Sequence, residues 1–211
     1  MIINPLPLAL VKNLYYKEGW SSVEIGKKFN VSPWVVLRFM RRNNLQCRTR
    51  VESNANKFDR KPLTFSIKNN LSVREKELKI AGTLLYWAEG SKLKSKGNNW
   101  TVDLVNSDPR MVSLFLKFLR GICRIDEKKL RVQLYCYEDQ SVEQLKRYWH
   151  ELTRISLERF IKPYVRKDFR PEQIGKMKYG LVHIRYCDKK LLIQIDAWIK
   201  EYCKKFKIVV E

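Results

Sequence analysis

The sequence predicts an α+β protein in two parts, a module of three short N-terminal helices followed by a larger domain in which strands and helices alternate. Three observations carry this expectation. Helical periodicity punctuated by stops and caps runs from Leu8 to Asn44. From Trp100 onward, runs of period two alternate with runs of helical period. The 211 residues, 45% of them hydrophobic, suffice for one mid-sized domain and a compact satellite.

The first helix is expected from about Leu8 to Glu18, with Gly19 as its stop. Ser21 or Ser22 then caps a second helix that carries Ile25 and Phe29 on one face, with Gly26 beside them to let the next helix cross closely. Asn30 supplies the turn. Ser32 is the N-cap of a third helix and Pro33 its first residue, where a missing N–H costs nothing. Helical spacing turns Val36 and Met40 inward and leaves Trp34, Val35, Arg38, Arg41 and Arg42 outward or flanking.

The string SSVEIGKKFNVSPWVVLRFMRR, covering residues 21–42, resembles the resolvase-type helix-turn-helix. That resemblance implies that the N-terminal part of the third helix enters the major groove of double-stranded DNA. Ser32, Pro33, Trp34, Val35, Arg38, Arg41 and Arg42 are then the expected contact residues, with Arg38 as the base reader, because a guanidinium takes a guanine edge bidentately. The competing reading is a packing module whose arginines form a solvated face.

Between residues 46 and 71 the periodicity lapses and the composition turns polar and basic, so this stretch is expected as a linker, with Leu63 to Ile67 as a short strand within it. The domains are accordingly 1–45, 46–71 and 72–211. Ser72 and Glu75 make the S-x-x-E pattern that opens a helix running to about Glu89, apolar nearly all round and tipped by one acid. Strands are expected near 100–106, 130–138, 160–165 and 179–186, and helices near 109–123, 142–154 and 189–205. Alternation puts Arg131 and Gln133 on one strand face, and Lys162, Arg166 and Arg185 also fall on strands, giving a second basic contact surface.

The segment IAGTLLYWAEGSK, residues 80–92, resembles the motif helix of the LAGLIDADG homing endonucleases: Gly90, Glu89 and Ala88 match the motif's end and Leu85 an interior leucine. The resemblance spans about Ser72 to Lys205 and implies a curved antiparallel sheet that saddles DNA. It departs at Trp87 and at Leu84, which stands where the family has a helix-contact glycine. With a single motif, the family arrangement implies a homodimer in which Glu89 of each copy holds Mg²⁺ and activates water, with Asp103 as a second ligand. The bland alternative is a surface acid beside Lys92 and Lys94.

Lys and Arg total 43 against 22 Asp and Glu, a net charge of +21 that calls for a polyanionic partner. No signal peptide and no apolar run of bilayer length is read, so a cytoplasmic, nucleoid-associated protein is expected. The five cysteines, Cys47, Cys123, Cys136, Cys187 and Cys203, are scattered and expected free. No nucleotide-binding or zinc-protease motif occurs, and no small-molecule cofactor is expected. The leading expectation is sequence-selective binding of double-stranded DNA, as a transcriptional regulator. A Mg²⁺-dependent homing-type endonuclease is the second reading. An RNA-processing or ribosome-associated protein is the third, in which the aromatics Tyr135, Tyr137, Trp149, Tyr164 and Tyr186 would be base-stacking platforms, although core or sheet-surface packing is the preferred reading of those rings.

Overall fold

The computed structural model describes residues 6–92, 100–167 and 177–208. Two compact units divide the chain, Met1–Pro62 and Leu63–Glu211. None of the helices among the described residues is long and apolar enough to cross a membrane.

In the first unit, α1 (Leu8–Lys12) continues into a π-helical turn, Asn13–Lys17, and is followed by α2 (Ser22–Phe29) and α3 (Pro33–Arg42). Ser21 caps α2 through a reciprocal pair of bonds with Glu24, and Ser32 caps α3 with Pro33 at its first turn. Asn30, in the left-handed conformation at φ 54°, closes the turn between them. A small core of Leu6, Val11, Leu14, Tyr15, Ile25, Val36 and Met40 holds the three segments together. Gly26 is needed where the chain turns into α3. A Cβ there would sit 2.7 Å from the Val31 carbonyl oxygen, so the glycine clears the turn itself.

The stretch expected as a linker holds a helix, α4 (Arg50–Arg60), opened by a capping box between Thr49 and Glu52. It buries no residue of its own, which is why no apolar periodicity announced it. Beyond Pro62 the chain already belongs to the second unit. Ser66 and Lys68 N–H donate to the carbonyls of Cys123 and Ile122, and Phe65, Ile67 and Leu71 pack on the core.

The second unit is mixed α+β. Helix α5 (Val73–Glu89) leads to β1 (Val102–Asn106), α6 (Pro109–Gly121), β2 (Leu130–Tyr137), α7 (Val142–Thr153), β3 (Tyr164–Arg166), β4 (Leu181–Tyr186) and α8 (Lys189–Lys205). The four strands form one sheet in the order β1-β4-β2-β3. β4 is antiparallel to both β1 and β2, but β3 runs parallel to β2, so the expected all-antiparallel sheet is in fact mixed. The reason is α7: a helical crossover of this length returns the chain in its starting direction, where a tight hairpin would reverse it. β3 also starts late, because Pro163 has no N–H to give a ladder, and Lys162 therefore precedes the strand.

One face of the sheet and helices α5, α6, α7 and α8 enclose the core, whose largest fully buried side chains include Trp149, Tyr186, Phe115 and Phe118. Helix α5 is not buried all round as expected. Gly82, Thr83 and Tyr86 face inward, while Ile80, Leu84 and Trp87 are exposed along the opposite side.

Candidate nucleic-acid interface

Two basic surfaces carry the residues singled out above, one in each unit. On α3, Val36 and Met40 are fully buried and fix the rotation of the helix. Ser32, Pro33, Trp34, Arg38, Arg41 and Arg42 are thereby left exposed, and Val35 is half-buried. Trp34 is 62% exposed, unusual for so large a ring, and the Arg38 guanidinium lies over it, 5.2 Å from the ring centroid. Among the described residues, no carboxylate pairs with Arg38, Arg41 or Arg42. The exposed Lys27 and Lys28 of α2 add to the positive charge of the unit.

The basic residues after α3 behave differently. Arg48 turns inward: its guanidinium donates to the carbonyls of Tyr15 and Trp20 and packs 4.1 Å from the Tyr15 ring centroid, while its N–H donates to the Tyr15 hydroxyl. Arg60 donates to both carboxylate oxygens of Glu24 at 2.9 Å and to the Gly19 carbonyl at 2.8 Å, where Asn56 also donates. These bonds tie α4 to α2. Sequence reasoning missed them, and the T-x-x-E pattern at Thr49 and Glu52 was the one readable signal.

The Arg60 guanidinium, followed by the N–H and hydroxyl of Ser21, holds the Glu24 carboxyl down to about 2. A depressed carboxyl stabilises the folded state fully above its ordinary value of 4.5, and that contribution is lost as pH falls toward about 2. A carbon-13 titration should therefore find Glu24 midway near 2, and Arg60→Ala should move that midpoint up toward 4.5. A midpoint that ignores Arg60 would show that α4 is not held this way.

The second surface is the sheet face turned away from the core. Along β2, buried Leu130, Val132, Leu134 and Cys136 alternate with half-buried Arg131, Gln133, Tyr135 and Tyr137. Register places Arg131 opposite Arg185, Gln133 opposite His183, and Tyr137 opposite Arg166. Four of the five sheet residues expected here, Arg131, Gln133, Arg185 and Arg166, thus lie on ladder positions, and Lys162 lies just outside, its carbonyl accepting from Gln133. Arg185 also donates to Gln133 at 3.0 Å, and Arg131 donates to the carbonyls of Lys128 and Leu130. The ladder holds these side chains in place from within.

Asp103, opposite Arg185 on β1, is only 4% exposed. Its two oxygens lie 3.1 Å from His183 Nδ1 and 3.2 Å from Arg185 Nε. A carboxylate engaged in this way by two nitrogen groups is not a ligand in waiting, so its expected role as second metal ligand does not fit. Glu89 is exposed at the end of α5, and no group of three metal-ligating side chains occurs among the described residues. All five cysteines are free, and burial raises the thiol of Cys136 above its ordinary value.

Comparison of the chain with family models, with curated proteins and with solved structures finds no match.

Proposed function

We propose that this protein binds double-stranded DNA with sequence selectivity, and that it acts as a regulator. In this reading α2, its turn and α3 are a helix-turn-helix, the exposed face of α3 lies in the major groove, and the second unit is a relative of the LAGLIDADG fold whose basic sheet face contacts backbone phosphates. The observation that carries the proposal is the α3 face. A helix with a sharply set start and a locked inner side presents Trp34, Arg38, Arg41 and Arg42 to solvent, and among the described residues no carboxylate neutralises these arginines. The net charge of +21 supports it.

The exposed stripe of Ile80, Leu84 and Trp87 on α5 is apolar at helical spacing, and the proposal assigns it to a second copy of the chain. Selection of bound duplexes from a random pool, with and without Mg²⁺ and with the ends checked for cutting, tests all of this together. The expected result is an enriched motif in two inverted half-sites, since a two-fold dimer reads a palindrome. A pool that stays random removes sequence selectivity, and a motif without inverted symmetry removes the dimer. Cut ends that depend on Mg²⁺ and vanish in Glu89→Gln would make the protein an endonuclease instead.

Within the selected motif, Arg38→Ala should weaken discrimination at one base pair by roughly 1–3 kcal/mol, whereas Arg42→Ala at a phosphate should weaken all sequences alike. Equal weakening by both, measured on a panel of single-base variants, would take base reading away from Arg38.

A further inference from the structure

Groove reading by α3 and phosphate contact by the sheet leave one feature of the second unit without a use. A cavity of about 300 Å³ opens at the β2–β3 side of the sheet, lined by Tyr135, Cys136 and Tyr137 of β2, Tyr164 and Arg166 of β3, and Met177 and Leu181. That volume lies at the small end of the range for ligand sites.

Its aromatic wall is ordered. The Tyr135 ring centroid stands 4.9 Å from that of Tyr164 and 4.7 Å from that of His183, each pair inclined by 32°. The rings make a row across three neighbouring strands, β4, β2 and β3. His183 is anchored from behind by Asp103, and Tyr164, at the outer end on the edge strand, is 52% exposed. A half-exposed phenol ring that continues a row of rings presents a flat π-surface to solvent. Lys162, Arg166 and Lys167 lie within three residues of it along the chain and are exposed.

A flat apolar surface flanked by cations matches a flat ligand attached to an anion. A nucleobase with its phosphate has that chemistry, and base–aromatic stacking is indifferent to sequence because every base has a π-face. Bases inside a duplex are stacked on each other and offer no free face, so only an unpaired base fits. The chain's charge of +21 favours a polyanion over an aromatic peptide.

We propose that this cavity receives one unpaired base of a bound DNA strand, stacked on Tyr164 in line with Tyr135, with its phosphate beside Arg166 and Lys162. The inference rests on the DNA-binding reading for its ligand class, but the site is distinct from the groove-reading helix.

The test uses the full chain and three probes of one sequence: a paired duplex, the same duplex with a single bulged 2-aminopurine, and the 2-aminopurine strand alone. The bulged duplex should bind about tenfold tighter than the paired one, an effect within the range of a single stacked base. Its fluorescence should fall on binding as the base stacks. Tyr164→Phe should keep both effects. Tyr164→Ala, at a half-exposed edge position, should abolish both and leave the paired duplex bound within about twofold.

Equal affinity for paired and bulged duplexes overturns the site while the DNA-binding reading stands. A bulge preference that survives Tyr164→Ala also overturns it. If the bulged duplex and the single strand bind through Tyr164 but the paired duplex does not bind, the duplex reading falls and the site stands. If no probe binds, both fall.

Discussion

Gly82→Ala is expected to destabilise the second unit by about 3 kcal/mol, read as a fall in the urea midpoint. In an ordinary helix interior the same change would stabilise by up to about 1 kcal/mol, so the sign alone is diagnostic. At this position an added Cβ would sit 2.2 Å from Phe118 Cγ and 2.5 Å from Phe118 Cβ, far inside contact distance. The ring has nowhere to go. Phe118 is fully buried, with Phe115 and Trp198 each 6.0 Å away between centroids. Either α5 lifts from α6 or the core repacks. Gly121→Ala is the control, since a Cβ there meets only Leu78 at 3.8 Å, an ordinary contact, and should be neutral or mildly stabilising. In Gly82→Ala combined with Phe118→Leu the two losses should sum to less than their separate values, because the smaller side chain yields the space. A stable Gly82→Ala protein would mean that α5 and α6 do not approach this closely.

The same contact decides how the α5 motif is read. Its glycine serves packing within the chain, against α6, and the opposite face with Ile80, Leu84 and Trp87 is the one left exposed. The sequence pattern could not settle which side that was. A run of apolar residues all round a helix states that much is buried, but where one side is covered and the other is not depends on neighbours far away in the chain.

Other elements show the same division between what is local and what is not. The start of α3 was legible because Ser32 and Pro33 act within one turn, and the bounds of α5 through α8 follow from caps and apolar spacing nearby. Helix α4 was not, because it is held by polar bonds from Asn56 and Arg60 to groups 37 and 36 residues away, which leave no apolar trace. The basic alternation on β2 was legible, but the alignment of Tyr135 with Tyr164 and His183 depends on strand register. Asp103 was misjudged as a ligand for a similar reason: its engagement by His183 comes from 80 residues further on.

Replacing Asp103 carries the second large effect. Asp103→Ala should destabilise the second unit by about 2–3 kcal/mol, somewhat below the loss for a fully buried pair because the Arg185 side chain is 32% exposed. Arg185 stands between Asp103 on β1 and Arg131 on β2, so the carboxylate screens two like charges directly across the ladder. Its link to Arg185 is electrostatic: Nε lies at ion-pair distance from the carboxylate and, among the described residues, makes no hydrogen bond. Asp103→Asn keeps the shape and removes only the charge. It should recover part of the stability through the bond to His183, yet leave the sheet face one charge more positive. On duplex DNA that change should steepen the salt dependence of binding by about one unit of log–log slope. Stability should therefore fall while non-specific affinity at low salt rises, an opposed pair of shifts that simple unfolding does not produce. If Asp103→Asn leaves the salt slope unchanged, the sheet face does not meet phosphate, and the proposed contact with DNA rests on α3 alone.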